Sequence, residues 1–273
     1  MSVGWHAVRV WPATDRRTDV LAALFAHGSA GVQDEGPSLV TCFPDSVDLA
    51  PLYEALAGQR VEVSPVDDSA WRDKWRGTVG AHTVGSLTVA PPWLADGLEL
   101  ARTVVIDPGM AFGTGEHATT RGVLALMQAV VRPGDIVADL GAGSAVLAIA
   151  AAKLGARRVA AIEMDEEAIG NAESNVVAYG VADRVSVIHG DALVLLPLLA
   201  PVRVVLANII SSVLVELLPT IAASLAPDGA AILSGILTAE RDDLIDVLKS
   251  GGWVVTAESA EGEWWSVSIT LSP

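Results

Sequence analysis

The chain has 273 residues, of which 51% are hydrophobic, so it can form one large domain or two smaller ones around a sizeable core. Its single cysteine, Cys42, excludes an intramolecular disulfide and a cysteine-rich metal site, and we expect no metal centre. The net charge of −16, with only three lysines, argues against direct nucleic-acid binding, which depends on basic surfaces. This acidity either attracts a basic partner or simply keeps the chain soluble.

The sequence also indicates where the protein resides. No apolar run is long enough to span a bilayer, and we predict no membrane association. The first residues lack the basic and then apolar pattern of a signal peptide. We therefore expect a cytoplasmic protein.

The first 65 residues predict a small α+β domain. Strand and helix patterns alternate in the order β-α-β-β-α-β, which is typical of ferredoxin-like domains. The predicted elements are a strand at 5–10, a helix at 18–27, a strand that follows the turn at 28–33, a strand at 38–43, a helix at 48–56 and a strand at 60–63.

A connecting segment follows. Residues 65–69 are a polar break, after which Ser69 can cap a short helix that carries Trp71 and Trp75 on one face. We therefore predict a linker helix over residues 66–78. The next residues, 79–89, predict a hairpin that turns at Gly85.

From residue 102 onward, strands alternate with helices, which predicts a mainly parallel, Rossmann-like sheet with helices on both faces. The last two strands have no helix between them, so we expect an antiparallel hairpin at one edge of a seven-stranded sheet, in a domain over residues 79–273. Strands are predicted at 103–106, 136–139, 158–163, 185–189, 202–207, 230–236, 253–258 and 264–271, and helices at 119–131, 145–154, 166–179, 212–225 and 238–249.

A glycine loop, Gly141-Ala142-Gly143, joins the strand at 136–139 to the following helix. Such a loop lets a ligand approach the backbone at a helix N-terminus. Val146 stands where the nicotinamide fingerprint needs a third small residue, and no phosphate-binding lysine follows. The loop therefore favours a nucleoside ligand without phosphates, and S-adenosylmethionine is the commonest such cofactor.

Three acidic residues follow the strand order that this kind of site needs. Asp139 ends the first strand. Glu163 ends the second strand, where a carboxylate can accept both ribose hydroxyls. Asp191 follows the third strand, where it can accept a hydrogen bond from the adenine amino group. Acids at strand ends also serve as helix caps, and we expect that role for Asp165.

The segment over residues 107–120 contains three glycines around Phe112, a composition that allows a mobile lid over the cofactor. We predict that Phe112 and Gly113 contact the cofactor region and that Thr119 and Thr120 hold the methionine carboxylate at the start of a helix. A plain turn with threonine capping is the alternative. We expect His117 to be a hydrogen-bonding support and not a base.

Asn208 ends the fourth strand, where methyltransferases present the group to be modified. The two residues after it are Ile209 and Ile210, so a flipped base has no flat side chain to stack on. We therefore predict an aliphatic amine as the acceptor, oriented by Asn208 and covered by Phe112, with these two as the catalytic residues.

Together these patterns resemble the ribosomal protein L11 methyltransferase family over essentially the whole chain. The phrase A-F-G-T-G-x-H-x-T-T is the most specific of them. The resemblance is carried by residues 24–35, Trp71 and Trp75, residues 84–93, residues 107–120, the glycine loop through 154–156, residues 207–209 and residues 262–264.

The resemblance implies a ferredoxin-like domain that recognises the ribosomal protein, a linker that allows reorientation, and a class I methyltransferase domain. It also implies S-adenosylmethionine contacts at Thr120, Gly141, Glu163 and Asn208, in addition to Gly143 and Asp191 from the loop and strand pattern. The implied reaction is repeated N-methylation of lysine side chains and of an N-terminal amine. We expect the enzyme to be a monomer.

The chain departs from the family pattern at three positions. Ala145 replaces the last glycine of G-x-G-S-G, and we expect the start of a helix to accommodate its methyl group; Glu163 replaces an aspartate, and Ala118 a proline. Three alternatives remain: methylation of another protein lysine or of a small amine, a non-catalytic cofactor-binding assembly factor suggested by Ala145, and a nicotinamide oxidoreductase, which Val146 disfavours.

Overall fold

The computed structural model describes residues 5–13, 16–29, 32–65, 80–107 and 115–272. The chain divides into two units, Met1–Thr78 and Val79–Pro273. The predicted linker helix with its two tryptophans, and the predicted site residues Phe112 and Gly113, lie outside the described residues.

The first unit is a four-stranded antiparallel sheet in the order β2-β3-β1-β4, which confirms the ferredoxin-like arrangement. Its core contains Val8, Leu24 and Phe43. Its elements are β1 (Trp5–Trp11), α1 (Arg17–Ala26), β2 (Gln33–Glu35), β3 (Ser38–Pro44), α2 (Ala50–Ala55) and β4 (Arg60–Pro65).

Strand β2 follows the predicted turn at 28–33, and the first residues of that turn close helix α1. The amide of Gly28 donates to Phe25 O and that of Ser29 to Leu24 O, with Gly28 at φ +94°. This is a helix C-cap that uses a left-handed glycine, so strand pairing starts only at Gln33.

The second unit begins with a separate three-stranded sheet, made of β5 (His82–Val84), β6 (Leu87–Ala90) and β7 (Thr103–Val105). The predicted hairpin at Gly85 is confirmed, with φ +59° at the turn. The prediction that β7 belongs to the main sheet was wrong. The hairpin leaves one edge of β6 open, and β7 pairs with that edge in parallel.

The main sheet has seven strands, as predicted, and their order is β10-β9-β8-β11-β12-β14-β13. The five strands from β10 to β12 are parallel, and β14 is antiparallel to both β12 and β13. The strands are β8 (Ile136–Leu140), β9 (Arg158–Glu163), β10 (Val185–His189), β11 (Val202–Asn208), β12 (Leu225–Leu237), β13 (Trp253–Glu261) and β14 (Trp264–Leu271).

Helices cover both faces of this sheet. The sequence did not predict α6, because its residues are almost all apolar and include Pro197, so they carry no helical periodicity. The helices are α3 (Ala118–Val130), α4 (Val146–Lys153), α5 (Glu166–Ala178), α6 (Ala192–Leu199), α7 (Ser211–Ser224) and α8 (Arg241–Ser250), and a 3₁₀ turn at Thr238–Glu240 precedes α8. No helix in the described part of the chain is long and apolar enough to cross a membrane.

Candidate active site

A cavity of about 810 Å³ lies at the carboxyl ends of β8, β9, β10 and β11, the edge where parallel sheets of this type bind ligands. Its volume is typical of small-molecule and cofactor sites. Five of the predicted site residues line it: Gly141, Gly143, Glu163, Asp191 and Asn208. Thr119 and Thr120 are buried and are not among its described lining residues.

The glycine loop is held against the neighbouring strand by its own backbone. The amides of Gly141 and Ala142 both donate to Ile162 O, at 2.9 and 3.1 Å. Gly141 is in the left-handed region at φ +68°, and a Cβ there would lie 2.6 Å from Ile209 Cγ2. Glycine at this position therefore satisfies both the backbone angle and the close approach of the β11 end.

Ala145 follows this loop and is the N-cap residue of α4, with φ +65°. It is the one non-glycine residue with a positive φ in the described part of the chain, and its side chain is fully buried in the core. We expected the start of a helix to accommodate the methyl group. The core does provide space for it, but the backbone is left-handed, and that conformation is costly for an L-residue with a Cβ.

The Glu163 carboxylate is held by three backbone amides. Oε2 accepts from Gly143 N at 2.8 Å, and Oε1 accepts from Met164 N at 2.8 Å and from Asp165 N at 2.9 Å. A carboxylate can accept about four hydrogen bonds, so Oε2 keeps capacity for a ribose hydroxyl. The longer glutamate arm thus bridges the end of β9 and the glycine loop.

Two of the acids after the strands cap helices. Asp165 accepts from Glu167 N at the start of α5, as predicted, and Asp191 accepts from Leu193 N at 2.8 Å at the start of α6. Since Asp191 also lines the cavity, capping leaves its second oxygen available to a ligand.

Asp139 lies beneath the loop and is almost completely buried. Its Oδ2 accepts from Ala148 N at 2.9 Å, and Oδ1 has no hydrogen-bond partner among the described residues. Burial raises the pKa of Asp139 to about 7, and the nearby charge of Glu163 adds to the rise, while the bond from Ala148 opposes it. This carboxyl therefore changes its protonation near neutral pH.

The start of α3 lies next to Asn208. Asn208 Nδ2 donates to Thr120 Oγ1 at 3.5 Å, which leaves the Asn208 carbonyl oxygen as an acceptor. His117 Nδ1 is 2.8 Å from Thr119 Oγ1, and its ring packs edge-on against Trp264. His117 is thus a structural support for the helix start, as expected.

Arg121 connects the residues just before α3 to the edge hairpin of the sheet. Its Nη1 donates to the carbonyl oxygens of Gly115 and Glu116, and its Nε and Nη2 donate to the Glu261 carboxylate. The Glu116 side chain in turn accepts from Gly80 N at 2.7 Å. The C-terminal end of the predicted lid segment is therefore anchored on two sides.

The structure adds residues that the sequence patterns did not single out. Val213, Glu216 and Leu217 share one face of α7 and line the cavity, as does Met164. The helical spacing of the α7 residues could have identified that face.

The lining favours a nucleoside over a phosphate-bearing ligand. None of the described lining residues is a lysine, arginine or histidine, whereas four are carboxylates and most of the rest are apolar or glycine. A fixed carboxylate beside exposed glycine backbone suits ribose hydroxyls, and the apolar walls suit a purine ring. The site therefore fits S-adenosylmethionine.

Comparisons with known proteins agree with this geometry. The family model for ribosomal protein L11 methyltransferase (PrmA) matches residues 44–272. The ribosomal protein L11 methyltransferase of Thermus thermophilus is 35% identical over 246 residues, which cover 90% of this chain and 91% of that protein. The protein of the same name from Pelotomaculum thermopropionicum is 38% identical over 213 residues, covering 77% and 68%.

A solved structure extends the likeness to the fold. The crystal structure of a ribosomal protein L11 methylase from Lactobacillus delbrueckii subsp. bulgaricus matches with a TM-score of 0.63 at 29% identity, covering 71% of this chain and all of that one. The chain therefore belongs to the ribosomal protein L11 methyltransferase family and is an S-adenosylmethionine-dependent protein methyltransferase with a class I fold.

Proposed function

We propose that this enzyme methylates lysine side chains and the N-terminal amine of ribosomal protein L11, and that it does so as a cytoplasmic monomer. The observation that carries the proposal is Asn208. It lies at the end of β11, in the same cavity as Glu163 and the glycine loop, and two isoleucines follow it where a base-stacking aromatic would be needed.

Each predicted site residue has a part in cofactor binding. Glu163 accepts from the ribose through Oε2, Asp191 accepts from the adenine amino group, and Gly141 and Gly143 let the ligand approach the backbone. Thr119, Thr120 and Gly113 are assigned to the methionine end of the cofactor. When bound, the cofactor supplies an electrophilic methyl group on a positively charged sulfur.

The remaining task of the protein is to present a neutral amine in line with that methyl group. A lysine amine has a reference pKa of about 10.4, so it must lose a proton before it attacks. Burial against Ile209 and Ile210 disfavours the charged amine and lowers its pKa, and Phe112 is assigned the role of covering the amine. Asn208 Oδ1 then accepts a hydrogen bond from the amine and fixes the direction of its lone pair. The rate enhancement comes from holding the amine close to the methyl group and in line with it, so no dedicated base is required.

Substrate recognition is assigned to the first unit. Phe25 in α1 and Tyr53 in α2 expose 53% and 48% of their surface, and exposed aromatic side chains are typical anchors of protein interfaces. The net charge of −16 complements a basic ribosomal protein. Residues 66–78 act as the linker that lets this unit present different amines to the cavity.

Mass spectrometry of the product tests the reaction. Unmethylated L11 incubated with enzyme and S-adenosylmethionine should gain mass in steps of one methylene at lysines and at the N-terminus. Asn208→Ala should lower kcat about 100-fold at saturating cofactor, the usual effect of losing alignment of a reacting group. Transfer only to other proteins, or wild-type turnover by Asn208→Ala, would overturn the proposal.

A second experiment tests the recognition surface. Phe25→Ser and Tyr53→Ser should each raise KM for L11 about tenfold, since aromatic anchors often contribute more than 1 kcal/mol, and should leave the cofactor Kd unchanged. Val177→Ser is the matched control, because Val177 is similarly exposed but lies on α5 in the second unit. Equal effects of all three variants would contradict the assignment.

A further inference from the structure

We propose that Asn175 is a positioning residue for cofactor binding, because its side chain joins the glycine loop to the segment that begins at Asp107. Asn175 lies in α5, is only 1% exposed, and does not line the cavity. Its effect on the cofactor must therefore act through the two segments that it holds.

The hydrogen bonds of this amide define the connection. Oδ1 accepts from Asp107 N at 3.0 Å, and Nδ2 donates to Ser144 O at 3.0 Å. Nδ2 also lies 3.3 Å from Asp107 O and 3.3 Å from Asn171 Oδ1. One side chain thus binds both the N–H and the C=O of Asp107, together with a carbonyl of the glycine loop.

The position of Asn175 in its helix makes this role specific. Ala168, Ala172 and Val176 form the buried stripe of α5 at helical spacing, and Asn175 falls within that stripe. A buried amide is costly unless it is hydrogen-bonded, whereas an apolar residue would pack in the stripe without that requirement. Asn175 is therefore explained by the backbone groups that it binds, at Asp107 and Ser144, and not by its packing in the stripe.

The connection extends to the site itself. Ser144 follows Gly143, whose amide donates to Glu163 Oε2 at 2.8 Å beside the cavity. Holding the Ser144 carbonyl fixes the 144–145 peptide, and so restricts the end of the loop that presents the Gly143 amide to Glu163. Asn175 thus fixes Asp107 and the end of the glycine loop relative to each other.

Two substitutions test the donor and the whole side chain separately. Asn175→Asp keeps an acceptor for Asp107 N and nearly the same volume, but it loses the donor to Ser144 O; Asn175→Ser removes the reach to both segments. Each should raise the Kd for S-adenosylmethionine about tenfold or more, the effect of one lost net hydrogen bond, and should raise KM for the cofactor more than it lowers kcat. Ser174→Ala, in the neighbouring position on α5, is the control, because among the described residues the Ser174 hydroxyl bonds only to Gly170 O in its own helix.

Calorimetric titration of the full-length protein below its unfolding temperature separates positioning from stability. A lowered melting temperature with a wild-type cofactor Kd and KM would overturn the proposal. Because the ligand is the cofactor alone, this result does not depend on whether L11 is the substrate.

Hydrogen exchange of the wild-type protein provides a test that needs no variant. Adding S-adenosylmethionine should slow exchange of the Asp107 amide, which lies outside the described lining of the cavity but donates to Asn175. The Tyr179 amide, at the end of the same helix, should not change. An unaltered Asp107 amide in the presence of bound cofactor would overturn the proposal.

Discussion

The left-handed backbone at Ala145 gives a sharp prediction for Ala145→Gly. This substitution relieves the conformational cost of a Cβ at φ +65°, about 1–2 kcal/mol. It also removes a fully buried methyl group, which costs about 0.8 kcal/mol, and it makes the unfolded chain more flexible, which costs about 0.4–1 kcal/mol. The opposing effects nearly cancel, so the free energy of unfolding should change by less than about 1 kcal/mol.

Ala150→Gly provides the comparison within the same helix. Ala150 is also fully buried, but it lies in the interior of α4 with ordinary helical geometry. Glycine there loses the methyl burial and about 1 kcal/mol of helix propensity, with no relief of strain, so we expect a loss of about 2 kcal/mol.

Urea unfolding of the full chain, followed by circular dichroism, measures both variants. We expect Ala145→Gly to be more stable than Ala150→Gly by about 1–2 kcal/mol, with equal m values, which would indicate that both variants expose the same surface on unfolding. Equal losses for the two variants would refute the reasoning, because they would mean that residue 145 carries no backbone strain.

Three further predictions concern the same region. The pKa of Asp139 in the folded protein, about 7, lies above the ordinary aspartate value of 3.8, so its contribution to stability is full below pH 4 and is lost as the pH rises through 7. Between pH 5 and 8, the unfolding free energy of the wild type should therefore fall by about 3 kcal/mol relative to that of Asp139→Asn, and a constant difference would contradict this. Gly235→Ala places a Cβ 2.4 Å from Ile209 O at φ +84°, so it should destabilise by about 2 kcal/mol or more and weaken cofactor binding, as thermal melting and calorimetry would detect. Arg121→Ala should lower kcat/KM about tenfold, because two loop carbonyls lose their hydrogen-bond donor. Glu261→Gln should change kcat/KM less than threefold, because exposed ion pairs contribute little. Equal effects of the two variants would show that activity depends on the ion pair and not on the bonds to the loop carbonyls.

The fold was largely predictable because its signals are local. Strands with alternating hydrophobic residues, capped helices and turn glycines indicated the four-stranded sheet, the seven-stranded sheet and its edge hairpin. Two elements, α6 and the position of β7, were not predicted correctly, each for a physical reason. Helix α6 has no polar face to reveal its period, and β7 joined an open strand edge that only the three-dimensional arrangement creates.

The site was predictable where the chemistry follows strand order. Glu163, Asp191 and Asn208 come at strand ends, and the structure brings all three to one cavity. Asn175 was missed because its partners are backbone groups 31 and 68 residues away, which no spacing rule specifies. The polar interruption of an apolar stripe was its one local signal.

The three amides that hold Glu163 lower the conformational entropy cost of binding a ligand to its carboxylate. A free glutamate has several rotamers, and fixing such a side chain on association costs about 0.5–1.5 kcal/mol. Here the backbone of residues 143, 164 and 165 has already selected one conformation during folding. A ribose that binds to this carboxylate therefore meets an acceptor with little conformational freedom left to lose, and a larger share of each new hydrogen bond contributes to affinity.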